Sequence, residues 1–189
     1  MNQINNPIMN KRNLISKLTA CAFCCCASLS LHAQEDYDVS LRIVDEQGAQ
    51  PGYECIVRLD GKTLQVLEAR VEDRPDQMDS FGNVIQKDVN FDGLDDLLIC
   101  LGGMSVTDQT FMYYDAWIAR RTSDGITFTR YEDFRDIANA EVDSAKKRIL
   151  SHYLVRDGVT YNYTQKRWQD GELKTIGKSW NVKKKLVVK

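Results

Sequence analysis

Histidine is scarce in this 189-residue chain: His32 and His152 are the only two. His152 alone lies beyond the N-terminal segment, in a strand-like pattern beside Tyr153. A lone imidazole in such a place is more often packed or superficial than a base. Catalysis needs a nucleophile with a positioned base, or two carboxylates at a working separation. Neither constellation is legible. A phosphate-cradling loop is missing too, because Gly102-Gly103 has neither the lysine nor the following helix that such a loop requires. These absences point away from an enzyme.

Long apolar runs are also lacking. Residues 18–31 form an uncharged, mostly apolar stretch that is too short to span a bilayer as a helix. Lys11, Arg12 and Lys17 precede it, and His32-Ala33 follows with a small residue at a cleavage position. This is the plan of a secretory signal peptide over residues 1–33, leaving one β-rich domain over residues 34–189. Leu18-Thr19-Ala20-Cys21 also resembles a lipobox with Cys21 as its lipidated residue. A lipobox should follow the apolar stretch, however, and this one opens it. The expectation is an exported protein, periplasmic or extracellular, that meets a membrane only if lipidated at Cys21.

Export changes the cysteine and charge bookkeeping. Four of the six cysteines (Cys21, Cys24, Cys25, Cys26) fall in the signal segment, so Cys55 and Cys100 remain. They are either a disulfide, which export permits, or two small buried hydrophobes. Residues 1–33 hold three of the 25 basic residues and none of the 27 acids, so 22 basic and 27 acidic residues remain, a net charge of −5. A nucleic-acid partner would want a basic surface. The remaining 156 residues suffice for a single domain with a real core.

What is present is strand periodicity. Residues 39–45 alternate apolar and polar side chains, and residues 53–59 and 63–71 flank the hairpin signal Asp60-Gly61. Residues 72–86 show no period and read as a loop. The short apolar run 97–101 predicts a central strand buried on both faces. Further strands are expected over 110–121, 126–131, 146–155, 159–168, 172–180 and 182–188, with Asp-Gly turns at Asp124, Asp157 and Asp170. Residues 132–140 are the one expected helical turn. The fold class is all-β: an antiparallel meander of hairpins, a partial β-propeller-like domain with at most one short helix.

One motif has nameable chemistry. In Asp88-Val89-Asn90-Phe91-Asp92-Gly93-Leu94-Asp95-Asp96, oxygen-bearing side chains occupy loop positions one, three, five and nine, with glycine at six. Calcium takes six to eight oxygen ligands from such a loop. Asp88, Asn90, Asp92, the Leu94 carbonyl and Asp96 are the candidate ligands of Ca2+, and Gly93 permits the sharp turn. An EF-hand would carry glutamate at position twelve, where this chain has Ile99. The bland alternative is an acidic turn before a buried strand, made of ordinary turn residues. Three acids converging without a cation would repel one another, which favours the metal.

The loop runs straight into the strand 96–101. After it come the aromatic strand Tyr113-Tyr114-Asp115-Ala116-Trp117, the segment 131–139 and the hairpin around Asp170-Gly171. In this order the chain resembles small exported bacterial proteins with FG-GAP/VCBS-like calcium loops, over about residues 80–175. The resemblance implies a propeller-derived domain with one calcium loop. It further implies kinship to periplasmic inhibitors or immunity proteins of lysozyme-like hydrolases, hence a protein partner in the cell envelope. No inhibitory tripeptide or loop signature is visible, and residues 37–71 match nothing in that family. The alternative is a carbohydrate-binding or hydrolytic envelope protein using Trp117, Trp168, Trp180 and surface tyrosines.

Overall fold

The computed structural model describes residues 37–44, 50–71, 75–106 and 109–183. The expected signal segment, the Cys21 lipobox and residues 184–188 of the expected last strand lie outside them. Twelve strands are described: β1 (Asp38–Val44), β2 (Gly52–Leu59), β3 (Lys62–Arg70), β4 (Val84–Lys87), β5 (Asp96–Val106), β6 (Gln109–Thr122), β7 (Gly125–Tyr131), β8 (Glu141–Asp143), β9 (Arg148–Leu154), β10 (Thr160–Gln169), β11 (Glu172–Thr175) and β12 (Trp180–Lys183). They make three antiparallel sheets that follow one another along the chain. The orders are β1-β2-β3, then β4-β5-β6-β7, then β11-β10-β9-β8 with β12 beside the first half of β10. None of these sheets closes into a barrel.

Turn chemistry explains the meander. At Asp60-Gly61 and Asp170-Gly171 both residues have positive φ (50° and 74°, 55° and 81°). That is the backbone of a two-residue hairpin turn whose twist matches its strands. At Asp157 the carboxylate accepts from the Val159 and Thr160 amides instead. The expected helical segment is a 3-10 turn over Glu132–Asp136 that buries Phe134; a second 3-10 turn covers Ser144–Lys146.

The second sheet is the middle layer. Leu97, Ile99, Leu101, Trp117 and Ala119 pack toward the first sheet with Tyr53, Cys55, Val57 and Leu67. On the opposite face Leu98, Ala116 and Ile118 pack with Phe134, Ile137 and Ile149, reaching Trp168 and Leu173 of the third sheet. This is why residues 97–101 lack alternation: both faces of β5 are covered, so both sets of side chains are apolar. Each fully buried aliphatic side chain there contributes roughly 1.5–3 kcal/mol.

One expectation needs correction, and one open alternative is decided. The segment expected to be a loop up to residue 86 contains β4, an edge strand registered against β5 from Val84↔Ile99 to Lys87↔Asp96. Its signal is weak because Ile85 is exposed. Cys55 and Cys100 are both free and buried. Cys100 follows Leu98 on the face of β5 turned away from the layer that holds Cys55, so no bridge spans them. Burial pushes the Cys55 thiol up to about 11 and raises that of Cys100, as for inert structural thiols.

Candidate functional site

The loop 88–96 joins β4 to β5 and is organised by its own side chains. Asp88 Oδ1 accepts from the Phe91 and Asp92 amides at 2.6 and 3.2 Å, and its Oδ2 from the Gly93 amide at 2.9 Å. Asn90 Oδ1 accepts from the Asp92 amide, and Asn90 Nδ2 donates to Asp92 Oδ2 at 2.9 Å. Asp92 Oδ1 accepts from the Leu94 amide. Phe91 and Gly93 carry positive φ, 64° and 92°, which bends the chain back over Asp88. Position six requires glycine for conformation alone, since a Cβ there would meet nothing within 4 Å.

Asp96 is fully buried. Its Oδ2 accepts from the Val89 amide at 2.8 Å and the Asn90 amide at 3.3 Å, and its Oδ1 from the Ala119 amide of β6 at 2.8 Å. One carboxylate therefore ties the start of the loop, the start of β5 and the middle of β6 together. Burial pushes this carboxyl up to about 7; the Val89 and Ala119 amides oppose the shift, and the charges of Asp92 and Asp88 add to it. All three of these partners are backbone amides, and none is a side-chain cation.

The loop is also pinned from the third sheet. Trp168 Nε1 donates to the Val89 carbonyl at 2.7 Å, and the Trp168 ring packs on Tyr131 with centroids 4.6 Å apart. Val89 itself is fully buried in the second core.

The predicted ligands thus share one loop, with Asp88, Asn90 and Asp92 serving exposed or half-buried turns and Asp96 beneath them. Among the described residues, no three His, Cys, Asp or Glu side chains are gathered closely enough to hold an ion. The donor set nevertheless fits a hard cation: it is all oxygen, carries three carboxylates, and each carboxylate has about four lone-pair positions, of which the loop amides use only some.

A second arrangement was not legible beforehand. Asp115 of β6 is fully buried and accepts from Tyr53 Oη at 2.6 Å, Arg130 Nε at 3.2 Å, and both Nε and Nη2 of Arg135, the latter at 2.8 Å. Trp117 Nε1 donates to Tyr53 Oη at 2.7 Å. Burial, then the charge and hydrogen bond of Asp115, raise the Tyr53 phenol well above its ordinary value, so it stays a donor. For Arg135 burial works against the charge, but Asp115 outweighs it and the guanidinium pKa rises. Tyr53 and Asp115 are 62 residues apart, so only the stacking of the first two sheets joins them.

His152 is half-buried and stacked on Tyr163 at 5.1 Å, which in turn stacks on Trp180 at 5.7 Å. The Arg148 guanidinium meets the Trp180 ring at 5.9 Å. Comparison with known proteins returned no match to a family model, a curated protein or a solved structure.

Proposed function

We propose that the chain is an exported protein-binding module whose loop 88–96 takes up calcium for stability rather than for chemistry. Asp88, Asn90, Asp92, the Leu94 carbonyl and Asp96 would hold the ion. The observation that carries this reading is Asp96, a carboxylate buried beside two further acids and answered only by backbone amides. A dication supplies the missing positive charge, and an ion held by side chains of one loop leaves little room for a substrate. The partner is a protein of the cell envelope. A cell-wall hydrolase that this module inhibits, or against which it confers immunity, is the role the family resemblance suggests.

The carbohydrate-binding alternative draws less support from the rings. The indole N–H groups of Trp117 and Trp168 are spent inside the molecule. The Trp180 ring is stacked on Tyr163 and met by Arg148, so its surface is largely taken by neighbours.

Thermal unfolding with calcium and with chelator tests the ion. A ligand bound only by the folded state at one hundred times its Kd adds about 2.7 kcal/mol. For a domain of this size that raises Tm by roughly 5–10 °C. An unchanged Tm would remove calcium from the reading. Capture of a protein from envelope extract, with an assay of muramidase inhibition, tests the module. Retention on insoluble polysaccharide with no protein captured would favour the alternative.

A further inference from the structure

Strand register divides the third sheet into two faces. Ile149, Trp168 and Leu173 turn toward the second sheet and join its core. Side chains alternate along a strand, and paired residues share a face. The opposite, outer face therefore carries Leu150 and Leu154 of β9, Tyr161 and Tyr163 of β10, and Trp180 and Val182 of β12. Leu150 is buried yet belongs to neither core, and Val182 is 44 % exposed. The outer face of the first sheet is different in kind: register sets Ser40, Arg42, Glu54 and Glu68 there, and no aromatic ring.

The rings of the third sheet's outer face hold one another. His152 stacks on Tyr163 across the strands at 5.1 Å, Tyr163 stacks on Trp180 at 5.7 Å, and Tyr161 meets His152 edge-on at 5.7 Å. The ring faces are turned on each other, so the surface offers ring edges and aliphatic groups, which does not suit a stacked sugar. Tyr and Trp side chains already fixed in this way lose little freedom on contact, and such residues dominate protein interfaces. Charge on this face is balanced. Arg148 is bound to Asp143 at 2.9 Å and Lys174 to Glu172 at 3.2 Å. That leaves Glu141 on β8 and Arg167 on β10, both exposed and outside any ion pair among the described residues. The flanking turns and loops add Lys146, Lys147, Arg156 and Lys178 against Asp157 and Asp170, all exposed, where water and salt screen them. A neutral face gives a polyanion little to hold, and it does not repel a copy of itself.

We propose that the outer face of the third sheet joins two copies of this chain in an isologous dimer. A two-fold axis running along the strands, between β9 and β10, lays β9 of one copy over β10 of the other and β8 over β11. Glu141 then reaches Arg167 and Lys174 of the second copy, twice. His152 and Leu154 meet Tyr163 and Tyr161 of the second copy, and Val182 flanks them. An axis across the strands would instead set β8 on β8, with like charges together. Seven residues by four strands span roughly 24 by 19 Å. That is at the small end of specific interfaces, so the dimer is weak and concentration-dependent. The charge pair selects the orientation, while the apolar centre supplies the affinity. The dimer depends neither on calcium nor on an envelope partner.

The test is analytical ultracentrifugation of the purified protein over a concentration series from about 1 to 200 µM. The expected result is a reversible monomer–dimer equilibrium. Val182→Glu should weaken it about tenfold or more. Glu141→Arg and Arg167→Glu should each weaken it severalfold. All three positions are exposed, so the variants should keep the wild-type Tm, which separates association from folding. An equimolar mixture of Glu141→Arg and Arg167→Glu proteins should recover the wild-type equilibrium, because each altered charge then meets its opposite on the other copy. A role confined to the fold of one chain would give no such recovery. A monomer at every concentration, self-association indifferent to all three substitutions, or no recovery in the mixture would each overturn the proposal. Retention on polysaccharide or on anionic vesicles, abolished by Val182→Glu in a protein that stays monomeric, would give the face another occupant and overturn it too.

Discussion

Asp96 and Asp115 are both fully buried, on adjacent strands of the middle sheet, and they solve the same problem in opposite ways. Asp96 packs on the side of Leu98, toward the third sheet, and is answered by three backbone amides. Asp115 packs on the side of Trp117, toward the first sheet, and is answered by two guanidiniums and a phenol. Dipoles alone leave Asp96 short of positive charge, while Asp115 is matched by full charges, with Glu132 answering Arg130 from its other side. On the calcium reading proposed above, the face that holds Asp96 takes its missing charge from outside, whereas the face that holds Asp115 takes it from the protein's own arginines. A buried ion has to be compensated, and whatever its own surroundings leave undone is what a ligand can complete.

The sharpest way to break this contrast is Asp115→Ala. It leaves the Arg130 and Arg135 guanidiniums without their common partner, and breaking a buried ion pair from one side costs about 3–5 kcal/mol. Urea unfolding should report that loss with little change in the slope against denaturant. A cost under about 1 kcal/mol would mean that water reaches the arginines freely, and the two aspartates would no longer be opposites.

Next comes the pH dependence of Asp96. Its carboxyl lies at about 7 in the folded protein, above the ordinary carboxylate range of the unfolded chain. The folded state then binds more protons than the unfolded one between about pH 4 and 7, so stability falls as pH rises through that window and levels off above it. The full effect is at most about 4 kcal/mol. Asp143 and Asp157 have the opposite sign. Arg148 and Thr160 respectively hold them low, so what they add is lost only as pH falls through and below the ordinary carboxylate range. Chemical denaturation in chelator across pH 4–8 should show the decline, and calcium should remove it. A flat profile in chelator would mean that the three amides alone suffice for Asp96.

How much of this could be read from the residues differs between the two sites for a physical reason. The loop 88–96 is local: Asp, Asn and Gly at fixed offsets act on amides two to five residues away, so spacing alone reveals it. Hairpins and the doubly buried β5 are local in the same sense. The Asp115 network joins residues 53, 115, 117, 130 and 135, and nothing in any short window marks them as neighbours. Asp115 was visible only as a polar residue within an aromatic strand, and a buried acid among aromatics is the one signal that would have flagged it. The short strand β4 escaped because four residues at an edge, with Ile85 outward, carry too little pattern.

Trp168→Phe gives the smallest and most discriminating test. It keeps the ring's packing on Tyr131 but removes the Nε1 donor to the Val89 carbonyl, a bond that links the third sheet to the loop. Losing one hydrogen bond whose acceptor stays buried costs about 1–3 kcal/mol. If loop and third sheet are coupled, the substitution should also weaken calcium binding, because the same bond positions the chain immediately after Asp88. Titration calorimetry of wild type and variant measures that directly. The Asp115 side should be untouched, since Trp168 meets the face of the middle sheet opposite to Tyr53 and Asp115, and the cost of Asp115→Ala measured in the Trp168→Phe background serves as the internal control. A variant that loses stability but keeps wild-type calcium affinity would show that the loop is set by its own Asx turns alone. A background in which Asp115→Ala no longer costs what it costs in the wild type would show that the two faces of the middle sheet are not independent.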